Sequence, residues 1–343
     1  MESLLTQLED AGVQQLTVFT DAASGLRAFL VIDDTTLGPA AGGTRTWRYD
    51  SAATAIEDAR RLARAMTLKC ALAGVDAGGA KMVVMDRPEL DRAAAFTLLG
   101  QRIDEMGGRF MTAGDLGTSR ADLQTMASRS RWVRTDETDM SVMVARGVVG
   151  CARVCVEVAG HPGLADLRIG VQGCGSVGAA VAREFAAAGA RLIVADLDDS
   201  AATRTAESVG GTAVPAADML AADIDLLAPC AAGGLLTGAA ARQLRAWAIC
   251  GAANNILATP EVEHVLAERE VLFVPDVVSS SGAVILGICD FQQRDDRETL
   301  LKGLAHTARE LLQESVASGV PTTRLAERKA RERIAQSTSP RTW

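Results

Sequence analysis

One short run constrains the fold of this chain more than any other. Gly173-Cys174-Gly175-Ser176-Val177-Gly178 follows the apolar run Arg168 to Gln172 and opens a stretch of helical periodicity from about Val177 to Ala188. A second apolar run, Leu192 to Ala195, is followed at once by Asp196. Alone, G-x-G-x-x-G is a weak signal; between a strand and a helix, with an acid at the tip of the next strand, it becomes specific. The first glycine permits a tight turn, the second lets the backbone approach a pyrophosphate, and the third lets helix and strand pack closely. The helix N-terminus then offers free N–H donors to phosphate. Asp196 is placed to accept hydrogen bonds from an adenosine ribose and to repel a 2′-phosphate, so NAD is expected in preference to NADP. The alternative is a glycine-rich loop that merely turns the chain.

Strand-like and helical segments alternate from Leu167 to about Pro275, with further strand-like runs at Asp225 to Ala228, Ala246 to Cys250 and Val271 to Val274. That order is the signature of a doubly wound parallel sheet. The first part reads differently. Strand-like Leu16 to Phe19, Arg27 to Ile32 and Met82 to Met85 accompany one long amphipathic helix, Ser51 to Cys70, in which Ile56, Ala59, Leu62, Ala63 and Met66 share a face. A length of 343 residues suits about two domains. The boundary is expected between Arg134 and Val144, giving an α/β chain with a substrate domain over 1–138, a Rossmann-type domain over 139–315 and a cleft between them. Arg297 to Gln336 reads as helical with a break at Gly319-Val320-Pro321, and a C-terminal helix at about 316–343 is expected to rejoin the first domain.

Charge and composition exclude several classes of function. Asp and Glu total 43 against 35 Lys and Arg, a net charge of -8, which is the wrong sign for nucleic acid or anionic lipid. The longest uncharged stretch, Leu226 to Ala241, is short for a bilayer span and is interrupted by Pro229, Gly233, Gly234 and Gly238. No basic segment followed by an apolar core opens the chain, so a cytoplasmic location is expected. The cysteines at 70, 151, 155, 174, 230, 250 and 289 contain no C-x-x-C, and the three histidines are scattered, so neither a disulfide framework nor a metal site is expected. These cysteines read as small buried hydrophobes.

Only four of the 35 basic residues are lysine: Lys69, Lys81, Lys302 and Lys329. Arginine cannot lose its proton in a protein, whereas a desolvated lysine shifts toward neutrality and can act as a base. Lys81 follows Gly78-Gly79-Ala80, which lets backbone and ligand come close. Lys69 lies beside Leu62 and Met66 at the edge of the helix's apolar face, where its ammonium needs an anion or must be neutral. For both, the alternative is a head that snorkels to water. Thr112-Ala-Gly-Asp115-Leu-Gly-Thr118 is a polar loop in which Asp115 is suited to hold an ammonium or relay a proton; a cap for a helix from Thr118 to Met126 is the alternative. The chain's two asparagines, Asn254 and Asn255, are adjacent in a glycine-rich context that suits either the nicotinamide end of a cofactor or a turn.

Taken together, Gly38 to Arg45, Met66 to Lys69, Gly78 to Lys81, Thr112 to Thr118, Gly173 to Gly178, Ala228 to Ala231, Gly251 to Asn255, and Pro275-Asp276 with Gly282 resemble the Glu/Leu/Phe/Val dehydrogenase family, in particular its leucine and phenylalanine dehydrogenase branch. The resemblance implies reversible NAD-dependent oxidative deamination of an L-amino acid to a 2-oxo acid and ammonia, in a homo-oligomer. Carried over by position, Lys69 binds the substrate carboxylate, with Gly42 and Gly43 lining the same pocket and Ala41, Met66, Val284 and Ser280 around it. Lys81 activates water, Asp115 assists with protons and holds the amine, and Ala231, Asn254 and Asn255 join the glycine loop in holding NAD.

Four positions depart from the family pattern. Ala80 replaces a glycine, Gly114 an acid, Val144 a threonine, and Ser280 an asparagine that helps hold substrate. Ala41, and Gly287 near Val284, replace larger residues and widen the pocket, which favours a bulky apolar or aromatic amino acid over valine. Two other readings follow from the departures: an NAD-binding homologue whose chemistry has drifted, and an oxidoreductase acting on a related imine or hydroxy acid.

Overall fold

Strand β5 (Gly78–Met85) is buried along its whole length because both of its faces are covered. In the computed structural model, which describes residues 6, 8–10, 12–135 and 138–337, Ala80, Met82 and Val84 pack into one core with Phe96, Leu99 and Ile103. Val83 and Met85 point the other way, into a core with Ala55, Ile56, Ala59 and Ala63 of the helix Ala52–Leu72. Alternation along a strand divides its residues between two such cores. Around β5, β2 (Leu26–Asp34) runs antiparallel and carries β1 (Gln15–Asp21) on its outer side. Two short strands, β3 (Ala40–Ala41) and β4 (Thr44–Trp47), run parallel to β5, and β6 (Phe110–Met111) adds to β3.

The helix Ala52–Leu72 keeps the face read from its periodicity. Ser51 caps it through a reciprocal bond with Thr54. Its other end is held by Arg333, whose Nη1 donates to the carbonyls of Cys70 and Ala71 at 2.9 and 2.8 Å and whose Nη2 donates to Val75 at 3.0 Å. The strand foreseen at Met82 to Met85 begins four residues earlier, at Gly78. Glycines conceal strands because they lack β propensity. At Gly79 the absence of a side chain is structural, since a Cβ would meet Thr67 N at 2.2 Å.

The other unit is a six-stranded parallel sheet ordered β12-β11-β10-β7-β8-β9, comprising Leu272–Phe273, Ala248–Ile249, Leu226–Pro229, Arg168–Gln172, Arg191–Ala195 and Thr212–Ala213. Leu227, Ile249 and Phe273 share a core with Met219 and Ile224. The two units comprise Met1–Glu137, Gly287–Asp295 and Ala330–Trp343, and Thr138–Leu286 with Asp296–Lys329. The chain therefore rejoins the first unit in two short segments, where a single return at about 316 was expected. The C-terminal helices, Arg297–Ser318 and Thr322–Gln336, break at Gly319 to Pro321, and Gly319 is left-handed with φ 70. Among the described residues no helix is long and apolar enough to cross a membrane.

Candidate active site

Gly42 and Gly43 interrupt what would otherwise be one strand, because β3 and β4 both pair with β5 on the same side. Across the interruption the backbone stays bonded to the segment that begins with β6. Gly42 N donates to Met111 O at 3.1 Å and Thr44 N donates to Ala113 O at 2.9 Å. Lys81 lies opposite the gap. By alternation its side chain leaves β5 on the face of Val83 and Met85, under the helix Ala52–Leu72, whereas Ala80 points into the opposite core. The methyl that distinguishes Ala80 from glycine is thus absorbed by core packing away from the amine.

The two glycines have different reasons to be glycine. At Gly42 a Cβ would stand 1.7 Å from Ala80 O, so no side chain fits at all. At Gly43 a Cβ would stand 3.1 Å from Asp115 Cβ and 3.2 Å from Lys81 Nζ, so its absence leaves room beside the amine.

Asp115 completes the pair. Its Oδ2 accepts a hydrogen bond from Lys81 Nζ, and its Oδ1 accepts from Leu116 N at 2.5 Å. The helix-cap alternative does not apply to it: the following helix, Arg120–Ala127, is capped by Ser119 with Asp122 closing the capping box. Threonines pin the loop to β4, with Thr112 and Thr44 hydroxyls 2.8 Å apart and Thr118 Oγ1 donating to Thr44 O at 2.7 Å.

Lys81 and Lys69 are both buried, 5% and 8% exposed. Burial holds the Lys81 amine well below the ordinary lysine range, and the cations of Arg45 and Lys69 push it further down. Three groups near this pair were not singled out from the sequence. Arg45 Nη2 lies 3.4 Å from Asp115 Oδ1 and its Nη1 donates to Asp58 Oδ2 at 2.9 Å. Tyr49 donates to the same Asp58 oxygen at 2.6 Å. A signal for Asp58 existed: Asp58, Leu62, Met66 and Lys69 fall on one stripe of the helix. Met66 is half-buried on that stripe, and Ala41 is buried in β3 just before the gap.

The glycine loop follows β7 as read. Gly173 has φ 99, and a Cβ on it would meet Ala231 N at 2.7 Å, which brings Ala231 against the loop. A Cβ on Gly178 would stand 1.8 Å from Gly173 O, whereas one on Gly175 would meet nothing within 4 Å. Gly175 is also the N-cap of the helix Ser176–Ala187 and supplies no side chain to its free amides. Cys174 is buried, Val177 half-buried and Ser176 exposed. Asp196 Oδ2 accepts from Cys174 N at 2.6 Å and Oδ1 from Asp198 N at 2.9 Å. These bonds hold its carboxyl below the usual carboxylate range. Open space before an uncapped helix, with an ionised acid at the next strand tip, fits a dinucleotide.

The remaining sequence-derived residues also lie in this second unit. Ser280 is buried and its hydroxyl donates to Asp276 O at 2.6 Å, a bond to its own helical turn; Val284 is half-buried. Asn254 and Asn255 are exposed beside the loop containing Gly233 and Gly234, and Asn255 is left-handed with φ 52, a turn conformation asparagine tolerates.

A Rossmann-type sheet, and a unit that buries a lysine amine of lowered pKa against a carboxylate, are the parts of a nucleotide-dependent enzyme that moves protons at a buried site. Residues 13–132 match the model of the Glu/Leu/Phe/Val dehydrogenase dimerisation domain, and residues 194–336 match that of glutamate/leucine/phenylalanine/valine dehydrogenase. The chain is 37% identical over 339 residues to the leucine dehydrogenase of Bacillus cereus, covering 96% of this chain and 92% of that protein. It is 35% identical over 342 residues to the valine dehydrogenase of Streptomyces coelicolor, covering 96% and 94%. Its fold matches the crystal structure of L-tryptophan dehydrogenase from Nostoc punctiforme with a TM-score of 0.85 at 29% identity, covering 97% and 99%. This chain belongs to the Glu/Leu/Phe/Val dehydrogenase family of NAD(P)-dependent L-amino-acid dehydrogenases, which act on the CH–NH2 group.

Proposed function

We propose that this chain catalyses the reversible oxidative deamination of a bulky apolar or aromatic L-amino acid with NAD, releasing the 2-oxo acid and ammonia. The observation that carries the proposal is the contact of buried Lys81 with half-buried Asp115 beside the space left by Gly43. Lys69 neutralises the substrate carboxylate with Gly42 and Gly43 lining the same pocket, and the room left at Gly43 lets the substrate's α-carbon approach the amine. Met66, Ala41, Val284 and Ser280 are assigned to the surroundings of the substrate. NAD supplies the hydride acceptor.

Loss of hydride leaves a cationic imine on the substrate, which the Asp115 carboxylate stabilises. Water must then add to the imine carbon, and neutral Lys81 takes the proton of that water. An amine of depressed pKa is neutral at a pH where an ordinary lysine is not, which suits it to this step. Asp115 receives and returns the protons of the departing amine.

Gly173 to Gly178, Ala231, Asn254 and Asn255 are assigned to NAD, with Asp196 selecting it over NADP. The preference for a large side chain is supported by Ala41 and by Gly287, where a Cβ would meet nothing within 4 Å. Each methylene of pocket volume changes selectivity by only about 1–3 kcal/mol. A homo-oligomer is supported by the match of residues 13–132 to a dimerisation domain.

A panel of L-amino acids offered with NAD and with NADP tests this reading through the rate of reduced cofactor formation. NADH from leucine, phenylalanine or tryptophan, lost in Lys81→Ala, is the expected result. Absence of turnover with every amino acid and every 2-oxo acid plus ammonia would overturn it.

A further inference from the structure

We infer that Arg45 is a positioning residue whose guanidinium orients Asp115 and sets the charge around the Lys81–Asp115 contact, and that Asp58 and Tyr49 hold it there. The inference rests on the reading of Lys81 as the base. Arg45 lies in β4 two residues beyond Gly43, so alternation returns its side chain to the side of the strand that Gly43 leaves open. Its guanidinium bridges two acids, with Nη1 on Asp58 Oδ2 at 2.9 Å and Nη2 near Asp115 Oδ1 at 3.4 Å. Nε is buried and, among the described residues, has no partner, so the two Nη atoms carry the placement.

The far anchor is stronger than the near one. Asp58 Oδ2 also accepts from Tyr49 at 2.6 Å, and Oδ1 accepts from Arg61 at 2.9 Å. Burial opposes the charge on Asp58, yet the bonds from Tyr49 and Arg61 and the Arg45 cation outweigh it and hold the carboxyl below the ordinary range. Asp58 is therefore an ionised, three-fold restrained anchor, and it fixes a cation whose other fork is aimed at the catalytic carboxylate. The short contact goes to Asp58 and the long one to Asp115, whose closer donors are Lys81 Nζ and Leu116 N.

The charges that act on Lys81 are Arg45 from β4 and Asp58, Arg61 and Lys69 from the helix Ala52–Leu72, while Asp115 from its loop accepts its hydrogen bond and Tyr49 donates to Asp58. Of these charges Arg45 lowers the amine most, and Asp58 acts on it with the opposite sign. Removing Arg45 should therefore raise the amine's pKa, and neutralising Asp58 should lower it. A residue needed only for folding would not give shifts of opposite direction.

The test compares wild type with Arg45→Gln, Arg45→Lys and Asp58→Asn. The first readout is the acid limb of the kcat profile for amino-acid oxidation. It should move up by about one pH unit in Arg45→Gln and down in Asp58→Asn. Plateau kcat should fall roughly tenfold to a hundredfold in Arg45→Gln through misplacement of Asp115. Arg45→Lys keeps the charge and loses the fork, so the limb should return toward wild type while kcat stays low. The second readout needs no turnover: with only four lysines in the chain, 13Cε-lysine NMR follows the titration of Lys81 directly, assigned by Lys81→Arg. Opposite Lys81 shifts in the two variants support the inference even if no amino acid is oxidised, in which case the functional reading alone fails. Unchanged titration of Lys81 in both, with only thermal stability reduced, would overturn it.

Discussion

Gly43 and Lys81 lie so close that a Cβ on the glycine would stand 3.2 Å from the lysine Nζ. The neighbouring Gly42 faces the carbonyl of Ala80, where a Cβ would be 1.7 Å away. Adjacent glycines therefore answer to function and to folding separately. Gly43→Ala should fold and lose on the order of a hundredfold in kcat/KM for the amino acid. Gly42→Ala should lose about 1–3 kcal/mol of stability or more as the sheet shifts. Steady-state kinetics and thermal unfolding on the two variants separate the outcomes.

The Lys81 amine is lowered by burial and then by Arg45 and Lys69, which makes two pH predictions of known sign. Deamination should show an acid limb below the ordinary lysine value near 10.4. Lys81→Arg should be inactive at every pH, because arginine does not become neutral. For stability, a lowered lysine pKa means that the unfolded chain binds a proton the folded chain does not, over the window from the folded value up to about 10.4. Stability should rise with pH through that window and reach its full contribution above it. Urea unfolding of Lys81→Met across the same range should show this slope diminished.

Gly175 opens on empty space while Gly178 meets the Gly173 carbonyl. Gly175→Ala should keep its melting temperature and bind NAD at least about tenfold more weakly, since the new methyl occupies the approach of the pyrophosphate. Gly178→Ala should instead unfold at lower temperature. Calorimetric titration with NAD, beside differential scanning calorimetry, distinguishes them.

Asp196 accepts backbone donors from Cys174 and Asp198 and stays ionised. Asp196→Ser removes a charged acceptor from the ribose, a loss of about 1.5–3 kcal/mol. KM for NAD should rise roughly tenfold or more and KM for NADP should fall, which cofactor-dependent initial rates will show.

Arg333 donates to three carbonyls at the end of the helix that carries Asp58 and Lys69. Arg333→Met leaves those carbonyls without that partner and should destabilise the first unit by about 1–3 kcal/mol. Thermal unfolding measures it, and Arg333→Lys should recover only part because a single ammonium cannot span the three acceptors.

Some of this was legible in the residues. The β7 run Arg168–Gln172 was read with its observed bounds, and the helix Ser176–Ala187 was displaced by one residue. Strand, turn and helix there are consecutive, so their signals are local. The helix Ala52–Leu72 was legible for the same reason, since its apolar stripe is a property of one segment. By contrast β3, β4 and β6 were not foreseen as strands. Segments of two to four residues carry no measurable period, and their pairing is imposed by β5 and by the loop after Phe110.

What the sequence alone determined is the Rossmann-type unit and two residues of a scarce type, Lys69 and Lys81, on which the proposed chemistry depends. Those follow from rarity and from patterns within about 30 residues. The tertiary structure decided that Ser119 and not Asp115 caps the next helix, that Ala80 turns its methyl away from Lys81, and that Arg45 joins Asp58 to Asp115. Arg45 and Asp115 are 70 positions apart. Contacts of that separation depend on which strands lie side by side, and periodicity along one segment reports only which of its own faces is buried.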